Sequence, residues 1–553
     1  MSIFKNSGHL VLSRYMAYSI VFFTFGIIVV MPVVFRYETS YAAPTAVYAT
    51  QILSGDGAVK SLGGWADAIE AEFFYPVPSM LLSVLVLLTD IPKEYTMFTP
   101  IAALASLSYF VLARRILRWT PSNHGLLLSA VFYAYVVLFG FKLGPAQQIS
   151  RASLGQAFFN FFLLVYVLYL SKREGSPSGG WLVVSVIFTL AIGLSYYTST
   201  LAIALFCLFM VVVYPVVVRS IRQPRRFPAL PIAILAFFLF IYNTYVISTI
   251  GEAAAMGGAF VANIITRILT VLGIQQAGAL RTDVMLGVDP VTIATGTWVY
   301  NATTYVSMGA LLYVLLLYRP QRQRKIAKIW LFSLAVFLTN LSDFAYLFFV
   351  VASPVRILTR YGLIVLFYIL AQRRGQANHQ GHEVLGKHLA LSKTIVVAIV
   401  LIMVLLGSLG AMRFAWYYGS GKPYAYQRIE PLSHVLLVHS SSRDPITLMG
   451  DAYYTANIFY VAALEGKIEN VIPYTMGEDA VTLYNSMHSN ETSDLLESMR
   501  TRDIKCLLLT PGSMWGDEWG YAVTLPSTSF LDHTTSTSLL YDGPAQLFCD
   551  IGS

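Results

Sequence analysis

The sequence predicts an all-α polytopic membrane domain of about eleven transmembrane helices, followed by a small extracytoplasmic α/β domain. The 553-residue chain is 56% hydrophobic and 12% charged, with a mean hydropathy of +0.63, whereas an average soluble protein is about 25% charged. Long apolar runs alternate with short basic clusters as far as residue 412, and the remaining chain is polar. We therefore expect a transmembrane domain at 1–412, with a first outer loop at 36–96, and an α/β domain at 413–553.

The predicted spans are apolar runs of about 18 residues or more, with allowance for short tilted helices. They lie near residues 16–35, 97–114, 124–141, 153–171, 180–197, 199–218, 228–249, 297–318, 329–351, 356–372 and 391–412. The first run is long enough to span, and no small-residue cleavage site follows it. A retained span is therefore favoured over a cleaved signal peptide.

Basic residues fix the predicted orientation, because cytoplasmic loops carry an excess of Lys and Arg. Every second connection is basic, and the clusters are Arg114-Arg115-Arg118, Lys172-Arg173, Arg219-Arg222-Arg225-Arg226, Arg319-Arg322-Arg324-Lys325-Lys328 and Arg373-Arg374-Lys387-Lys393. This alternation puts the N-terminus inside and the C-terminal domain outside. The net charge of +8 is spread over these loops, which is not the footprint of a nucleic-acid-binding protein.

The polar C-terminal part alternates strand-like with helix-like segments, which is typical of an α/β domain. I-T-L-M-G and I-K-C-L-L-L-T are predicted strands, and S-L-L-Y and A-Q-L-F-C form a hairpin around Asp542-Gly543. No Gly-rich phosphate loop opens a helix there, so nucleotide binding is not indicated. Cys506 and Cys549 form a disulfide if this part is outside, or remain two unpaired buried thiols.

The first outer loop is the densest acidic stretch of the membrane half, and Glu38 follows the first span by about three residues. A carboxylate beside a membrane-embedded helix is costly unless a partner, a cavity or a function keeps it there. Glu38 is therefore a candidate general base at the mouth of a membrane cavity. The alternative is an ordinary interfacial acid that pairs with Arg36 or faces water.

The rest of this loop contains weaker candidates. Asp67 lies with two glutamates on a predicted amphipathic helix, whose solvated face is the simpler explanation for them. The segment 75–92 is apolar but short and bounded by prolines, and a span there would break the alternation of basic loops. We therefore predict a short helix at the outer surface.

This arrangement resembles the GT-C superfamily of polytopic glycosyltransferases. The similarity rests on a first span, an acidic residue, an interfacial helix, Y-P-V-P before a short apolar helix, and V-L-A-R-R-I-L closing span two. The segment S-Y-Y-T-S-T-L-A-I-A-L-F and the C-terminal α/β domain also resemble archaeal and bacterial mannosyltransferase-like members. Protein O-mannosyltransferases and aminoarabinose transferases are members of the same type.

The resemblance implies transfer from a polyprenyl-phosphate sugar on the outer face, with the catalytic acid in the first outer loop, where Glu38 matches its position. Many members have a second acid in the next outer loop. Here that loop reads G-P-A-Q-Q-I-S-R, with Gln148 and Arg151 but no carboxylate. This departure disfavours a metal site built from the two loops and leaves a loss of activity open.

Cations and aromatic residues at predicted outer ends complete the candidate site. Arg356 and Arg360 lie four apart and share a helix face, where guanidinium groups match phosphate oxygens; anchoring to lipid headgroups is the equally weighted alternative. Aromatic rings suited to stacking on sugars, or alternatively to an interfacial aromatic belt, belong to Tyr37, Tyr41, Tyr75, Tyr196 and Tyr197.

Together these observations predict an inverting membrane glycosyltransferase of the plasma membrane that moves a sugar from a polyprenyl-phosphate donor. Its partners would be that donor, the lipid bilayer and an acceptor glycan, lipid or protein, without nucleic acid. No cofactor is predicted, and a divalent metal is left open without support. The alternatives are a transporter or flippase of a lipid-linked saccharide, and a non-catalytic relative whose outer domain binds a partner.

Overall fold

The computed structural model has a helical N-terminal part and a mixed α/β C-terminal part. The structure describes residues 14–27, 29, 49–50, 52–53, 76–89, 100–120, 125–139, 151–171, 179–195, 197–212, 229–246, 306–317, 327–337, 339, 361–377, 426–450, 458, 461–462, 465–475, 500–501, 503–509, 514–516, 521–523, 537–542 and 546–550. The predicted span 391–412 lies outside these ranges. So does the connection 250–296, which the sequence predicts as an outer loop with an apolar helix lying in the membrane interface.

The described α-helices of ten residues or more are numbered in chain order. They are α1 (14–27), α2 (Pro76–Thr89), α3 (Pro100–Leu117), α4 (Gly125–Ala134), α5 (Arg151–Ser171), α6 (Gly179–Gly193), α7 (Tyr197–Val212), α8 (Ala229–Val246), α9 (Val306–Leu317), α10 (Ala327–Phe337), α11 (Tyr361–Ala377) and α12 (Tyr426–His439). Each predicted span other than 391–412 overlaps one of the helices α1 and α3 to α11, and α2 lies in the segment 75–92.

Length and composition separate α5 from the other described helices. Within the described residues, Leu154–Ser171 of α5 is the one segment long and apolar enough to cross a membrane by itself, and the other apolar helices are shorter. The number of spans therefore stays a prediction. Helix α2 has 14 residues, or about 21 Å of helix, less than the roughly 30 Å of a hydrocarbon core. The short helix predicted at 75–92 is confirmed, and its place at the outer surface remains a prediction.

Local sequence explains where several helices begin and end. Pro76 and Pro100 are the first residues of α2 and α3, where the missing N–H costs no intrahelical bond. Helix α3 has Arg114 and Arg115 in its last turn, where positive charge interacts favourably with the helix dipole. These signals place helix boundaries at the edges of the apolar runs.

Helix α5 lies at the centre of the described bundle and packs against α2, α3, α6 and α7. Its core face is aromatic, and the ring of Phe206 on α7 meets Phe162 and Tyr166 edge-on at 5.3 and 5.0 Å between centroids. Such edge-to-face pairs add about 0.5–1.5 kcal/mol each beyond burial of their area. Helix α11 packs against α3 and α4, so α3, α5 and α11 share one buried region.

The outward faces of the helices are apolar. Exposed side chains include Phe22 at 79%, Leu88 at 77%, Phe238 at 73% and Leu316 at 78%. Large apolar residues exposed in such number on helices mark a surface that a membrane or another apolar partner covers. This pattern agrees with the membrane domain that the composition predicts.

The C-terminal part contains a five-stranded sheet and a separate two-stranded hairpin. The strands are β1 (Ile446–Gly450), β2 (Val471–Thr475), β3 (Cys506–Leu509), β4 (Met514–Gly516), β5 (Tyr521–Val523), β6 (Thr537–Asp542) and β7 (Gln546–Asp550). The sheet order is β2-β1-β3-β7-β6, with β4 and β5 paired apart from it. Strands β1, β2 and β3 are parallel, and β7 is antiparallel to both β3 and β6.

The strands and the hairpin predicted in this part are found. Residues Cys506 and Cys549 lie directly opposite in the β3–β7 pair and form a disulfide, which resolves the alternative that the sequence left open. Helix α12, strand β2 and the β4–β5 hairpin were not assigned from the sequence. Leu432 and Leu436 of α12 are buried, and their spacing of four residues defines the buried face of this helix.

Candidate functional site

Most of the residues that the sequence predicts for catalysis and substrate binding lie outside the part of the chain that the structure describes. These are Tyr37, Glu38, Tyr41, Asp67, Tyr75, Gln148, Tyr196, Arg356 and Arg360. Arg151 and Tyr197 are the first residues of α5 and α7, but their side chains also lie outside the described part. The described part of the candidate site therefore consists of the helix ends next to these residues in the sequence.

A buried hydrogen-bond network connects α3, α5 and α11. The Nε2 amide of Gln156 donates to the Tyr361 hydroxyl at 2.7 Å, and this hydroxyl donates in turn to Oδ1 of Asn160. The Nδ2 amide of Asn160 donates to Ser108 Oγ at 2.8 Å. All four residues are buried. Because buried polar groups must be satisfied, this network fixes the relative rotation of the three helices.

Aromatic packing surrounds the same tyrosine. Tyr109 stacks on Tyr361 with centroids 6.3 Å apart, and Phe159 lies at 6.3 Å in a tilted arrangement. The next residue, Gly362, lies against the backbone of Ser307 on α9, where an added Cβ would be 2.3 Å from the Ser307 carbonyl oxygen. The start of α11 is thus held by α3, α5 and α9 together.

Helix α2, which the sequence places in the first outer loop, contacts α5 and the residue after α6. The backbone amide of Val77, near the start of α2, donates to the carbonyl of Leu194, the residue after α6, at 3.4 Å. The hydroxyl of Ser83, in the middle of α2, lies 3.2 Å from the carbonyl oxygen of Ala49. Helix α2 also packs on α5. The hydrogen bond between Val77 and Leu194 therefore brings together two segments whose neighbours in the sequence are the predicted site residues Tyr75 and Tyr196.

These contacts gather helix ends from widely separated parts of the sequence. Gln156 lies five residues into α5, about 7.5 Å along the axis from Arg151, and its partner Tyr361 directly follows Arg360 in the chain. The predicted second outer loop and the arginine pair therefore directly precede, in the sequence, two helix starts that are bonded to each other. Helix α2, at the end of the predicted first outer loop, also contacts α5.

A π-helical turn, Tyr135–Phe139, follows α4 and leads toward the second outer loop. Such turns are rare and occur frequently at functional sites. Tyr135, Val136 and Val137 of this turn are buried. Nearby on α4, Tyr133 bonds Ser106 of α3 at 3.0 Å, so α3 has a polar contact with α4 as well as with α5.

The network consists of amides and hydroxyl groups, which are neutral, so it can position helices and ligands but supplies no general base near neutral pH. Within the described residues, no group of three or more His, Cys, Asp or Glu side chains is placed to hold a metal ion. The base and the phosphate-binding cations that the sequence predicts are loop residues, and they lie outside these helices.

The sequence analysis did not identify Gln156, Asn160 and Tyr361. A signal for two of them was present, because Gln156 and Asn160 lie four apart, on one face of the apolar α5. Polar side chains at helical spacing inside a predicted span indicate a buried hydrogen-bond partner on another helix. The identity of that partner requires the fold.

No protein-family model matches the chain, and no curated protein has a significant match to it. Similar solved structures include the archaeal oligosaccharyltransferase AglB from Archaeoglobus fulgidus in complex with an inhibitory peptide and a dolichol-phosphate. Its TM-score is 0.47 at 12% identity, over 90% of this chain and 69% of that chain. ArnT from Cupriavidus metallidurans bound to undecaprenyl phosphate has a TM-score of 0.48 at 12% identity, over 99% of both chains. At such TM-scores the similarity carries no conclusion about activity.

Proposed function

We propose that the chain is a membrane glycosyltransferase that moves a sugar from a polyprenyl-phosphate donor to an acceptor on the outer face of the membrane. The observation that carries the proposal is the hydrogen bond from Gln156 to Tyr361. It joins α5, which begins at Arg151, to α11, which begins directly after Arg360. A site made from the predicted outer loops needs these two helix starts to be neighbours.

In the proposed reaction Glu38 is the general base, and Arg356 and Arg360 hold the donor phosphate. The acceptor oxygen bonds to the anomeric carbon of the sugar while the bond from that carbon to the phosphate oxygen breaks. The acceptor proton passes to Glu38, and the polyprenyl phosphate leaves with the negative charge. Two guanidinium groups stabilise this charge, because they donate paired hydrogen bonds to phosphate oxygens.

The remaining predicted residues would line the substrates. Gln148 and Arg151 supply hydrogen-bond donors from the second outer loop, and tyrosines at the helix starts offer faces on which sugars stack. Exposed apolar side chains such as Phe22 and Leu88 support a lipid environment around the bundle. In that environment the isoprenoid tail stays in the membrane while the sugar phosphate enters the site.

The test is a transfer assay on purified full-length protein in detergent. A panel of polyprenyl-phosphate hexoses and pentoses with radiolabelled sugars serves as donors, and the release of polyprenyl phosphate is measured. Glu38→Gln should abolish release while the protein still binds donor. Glu94→Gln, the same change in the same loop, is the matched control and should retain activity. Full activity of Glu38→Gln would overturn the assignment of the base.

The arginine pair is tested with the same assay. Arg356→Gln and Arg360→Gln should each raise the donor KM by about 10–100-fold, since a hydrogen bond to a charged group is worth about 1.5–3 kcal/mol. Arg281→Gln, in another predicted outer loop, should leave the KM unchanged. Equal effects of all three changes would mean a general attraction of anions and no specific phosphate site.

A further inference from the structure

A cluster of arginines lies at the predicted cytoplasmic end of the helices, away from the proposed site. This inner arginine cluster consists of Arg14 on α1, Arg114 and Arg115 in the last turn of α3, and Arg118 just after it. Arg14, Arg118 and the Tyr18 phenol lie within electrostatic range of the Arg114 guanidinium. Two helices that are far apart in sequence thus bring their positive charges to one place.

Packing between the two helices keeps the charges together. Ala17 of α1 is fully buried and packs in one group with Leu126 and Ala130 of α4 and Phe110 of α3. Arg14 lies three residues before Ala17, and Arg114 lies four residues after Phe110. Since residues three and four apart share a helix face, both arginines lie one turn from this contact.

The positive charges of the cluster are not neutralised inside the described part of the protein. No described carboxylate forms an ion pair with Arg14, Arg114, Arg115 or Arg118, and the buried Nε of Arg115 has no described hydrogen-bond partner. Arg114 in the last turn of α3 and Arg118 just after that turn are like charges four positions apart, and they repel each other. A bound anion would relieve this repulsion.

A neighbouring cation enlarges the positive surface. Trp119 directly follows Arg118 and is buried, and its Nε1 donates to Ser171 Oγ at the end of α5 at 3.2 Å. Lys328 of α10 lies with its Nζ 5.9 Å from the Trp119 ring centroid. The anchored indole thus brings a cation of a third helix next to the turn that contains Arg118.

Apolar side chains beside the cluster favour a lipid as the source of the anion. Tyr15 is 70% exposed, Phe22 is 79% exposed and Phe23 is 68% exposed, all on α1, which also contains Arg14. A phosphate beside cations, with acyl chains along an exposed apolar helix face, is the arrangement by which basic pockets between membrane helices hold anionic headgroups. Free phosphate would use the cations but not the apolar face.

We propose that the inner arginine cluster binds the phosphodiester headgroup of an anionic phospholipid of the inner leaflet, with its acyl chains along the exposed face of α1. The guanidinium groups donate to the phosphate oxygens, and Tyr18 lies beside them. The lipid clamps α1 to α3 at their inner ends. This site is independent of the proposed glycosyl transfer and does not require it.

Binding is measured on the purified full-length protein in neutral detergent, with phosphatidylglycerol as the probe and phosphatidylcholine as the neutral lipid. Native mass spectrometry counts bound lipids, and thermal unfolding reports stabilisation. Phosphatidylglycerol should bind and raise the unfolding temperature, and Arg114→Gln with Arg118→Gln should weaken this binding by about 30-fold. The matched control removes two charges from another predicted inner loop, Arg225→Gln with Arg226→Gln, and should bind like the parent.

Two further measurements test the lipid site, one with the variant Arg14→Gln and one with inorganic phosphate. Arg14→Gln removes an exposed charge and should weaken binding by about fivefold even if the double variant does not fold. Inorganic phosphate should give no comparable stabilisation. Unchanged lipid binding in Arg14→Gln, an equal loss in the control pair, or equal stabilisation by inorganic phosphate would each overturn a specific lipid site.

Discussion

The side-chain amide of Gln156 donates a hydrogen bond to the hydroxyl of Tyr361 at 2.7 Å, and the two residues are 205 positions apart in the sequence. Both side chains are buried, so neither has water as an alternative partner. The bond therefore ties the start of α11 to the first turns of α5. Any ligand held by residues that adjoin these helix starts depends on this bond for its geometry.

Tyr361→Phe should destabilise the protein and weaken the proposed donor site. The change removes the oxygen that accepts from Gln156 and donates to Asn160, and unsatisfied buried groups cost about 1–3 kcal/mol. Because Arg360 directly precedes Tyr361, we expect the donor KM to rise more than kcat falls. Denaturant unfolding and the transfer assay give the two measurements.

Tyr133→Phe is the matched control for this change. It also removes a buried tyrosine hydroxyl, one that bonds Ser106 at 3.0 Å between α3 and α4. It should destabilise the protein to a similar degree but leave the donor KM unchanged. An equal rise in KM would mean that Tyr361→Phe acts through general loosening of the bundle and has no specific effect on Arg360.

A double-mutant cycle should detect the bond itself. Gln156→Leu and Tyr361→Phe together should cost less than the sum of the single changes, with a coupling of about 0.5–3 kcal/mol, as for residues in one hydrogen-bond network. Gln156→Leu combined with Tyr133→Phe should be additive to within about 0.5 kcal/mol, because no bond joins those residues. Unfolding free energies of the variants are compared. Additivity of the first pair would contradict the network.

The sequence predicted features that depend on local pattern and missed those that depend on distant contacts. Apolar runs located the helices, and alternation around Asp542-Gly543 located the β6–β7 hairpin, since each signal lies within a short window. The parallel neighbours β1, β2 and β3 come from separate segments, and no local pattern states their order. Strand β2 contains Pro473, a residue that is confined to edge strands and strand ends, and β2 is an edge strand of the sheet.

Only part of the candidate site could be predicted from the sequence. The polar spacing of Gln156 and Asn160 is visible in the sequence, but their partner Tyr361 on α11 belongs to another predicted span. Only packing brings the two together. Glu38, Arg356 and Arg360 lie outside the described residues, so their roles stay predictions that depend on charge placement and on the GT-C resemblance.

Gly362→Ala should strongly destabilise the protein. A Cβ at this position would lie 2.3 Å from the carbonyl oxygen and 2.8 Å from the Cα of Ser307, both backbone atoms. Helices α9 and α11 must then move apart, which costs about 1–3 kcal/mol or more, as in other overpacked interiors.

Gly309→Ala on α9 is the control, since a Cβ there meets nothing within 4 Å. It should be neutral or stabilise the helix by up to about 1 kcal/mol. The unfolding temperatures of the two variants are measured. Equal stability of Gly362→Ala and Gly309→Ala would contradict the close contact between α9 and α11.

The disulfide between Cys506 and Cys549 should contribute about 2–4 kcal/mol to the stability of the sheet region. It joins β3 to β7, and its cysteines are 43 residues apart. Its removal by Cys506→Ser with Cys549→Ser should therefore favour opening of this strand pair. Limited proteolysis of the full-length protein should show faster cleavage in this part, while the helical part keeps the parent pattern.

Mass mapping of unreduced protein tests the pairing and its compartment together. Peptides containing Cys506 and Cys549 should remain linked in protein taken from intact cells, because disulfides persist in oxidising surroundings outside the cytoplasm. Cys207 is the internal control: it is a free, buried thiol and should react with alkylating reagent only after unfolding. Alkylation of Cys506 and Cys549 in unfolded but unreduced protein would contradict the pairing.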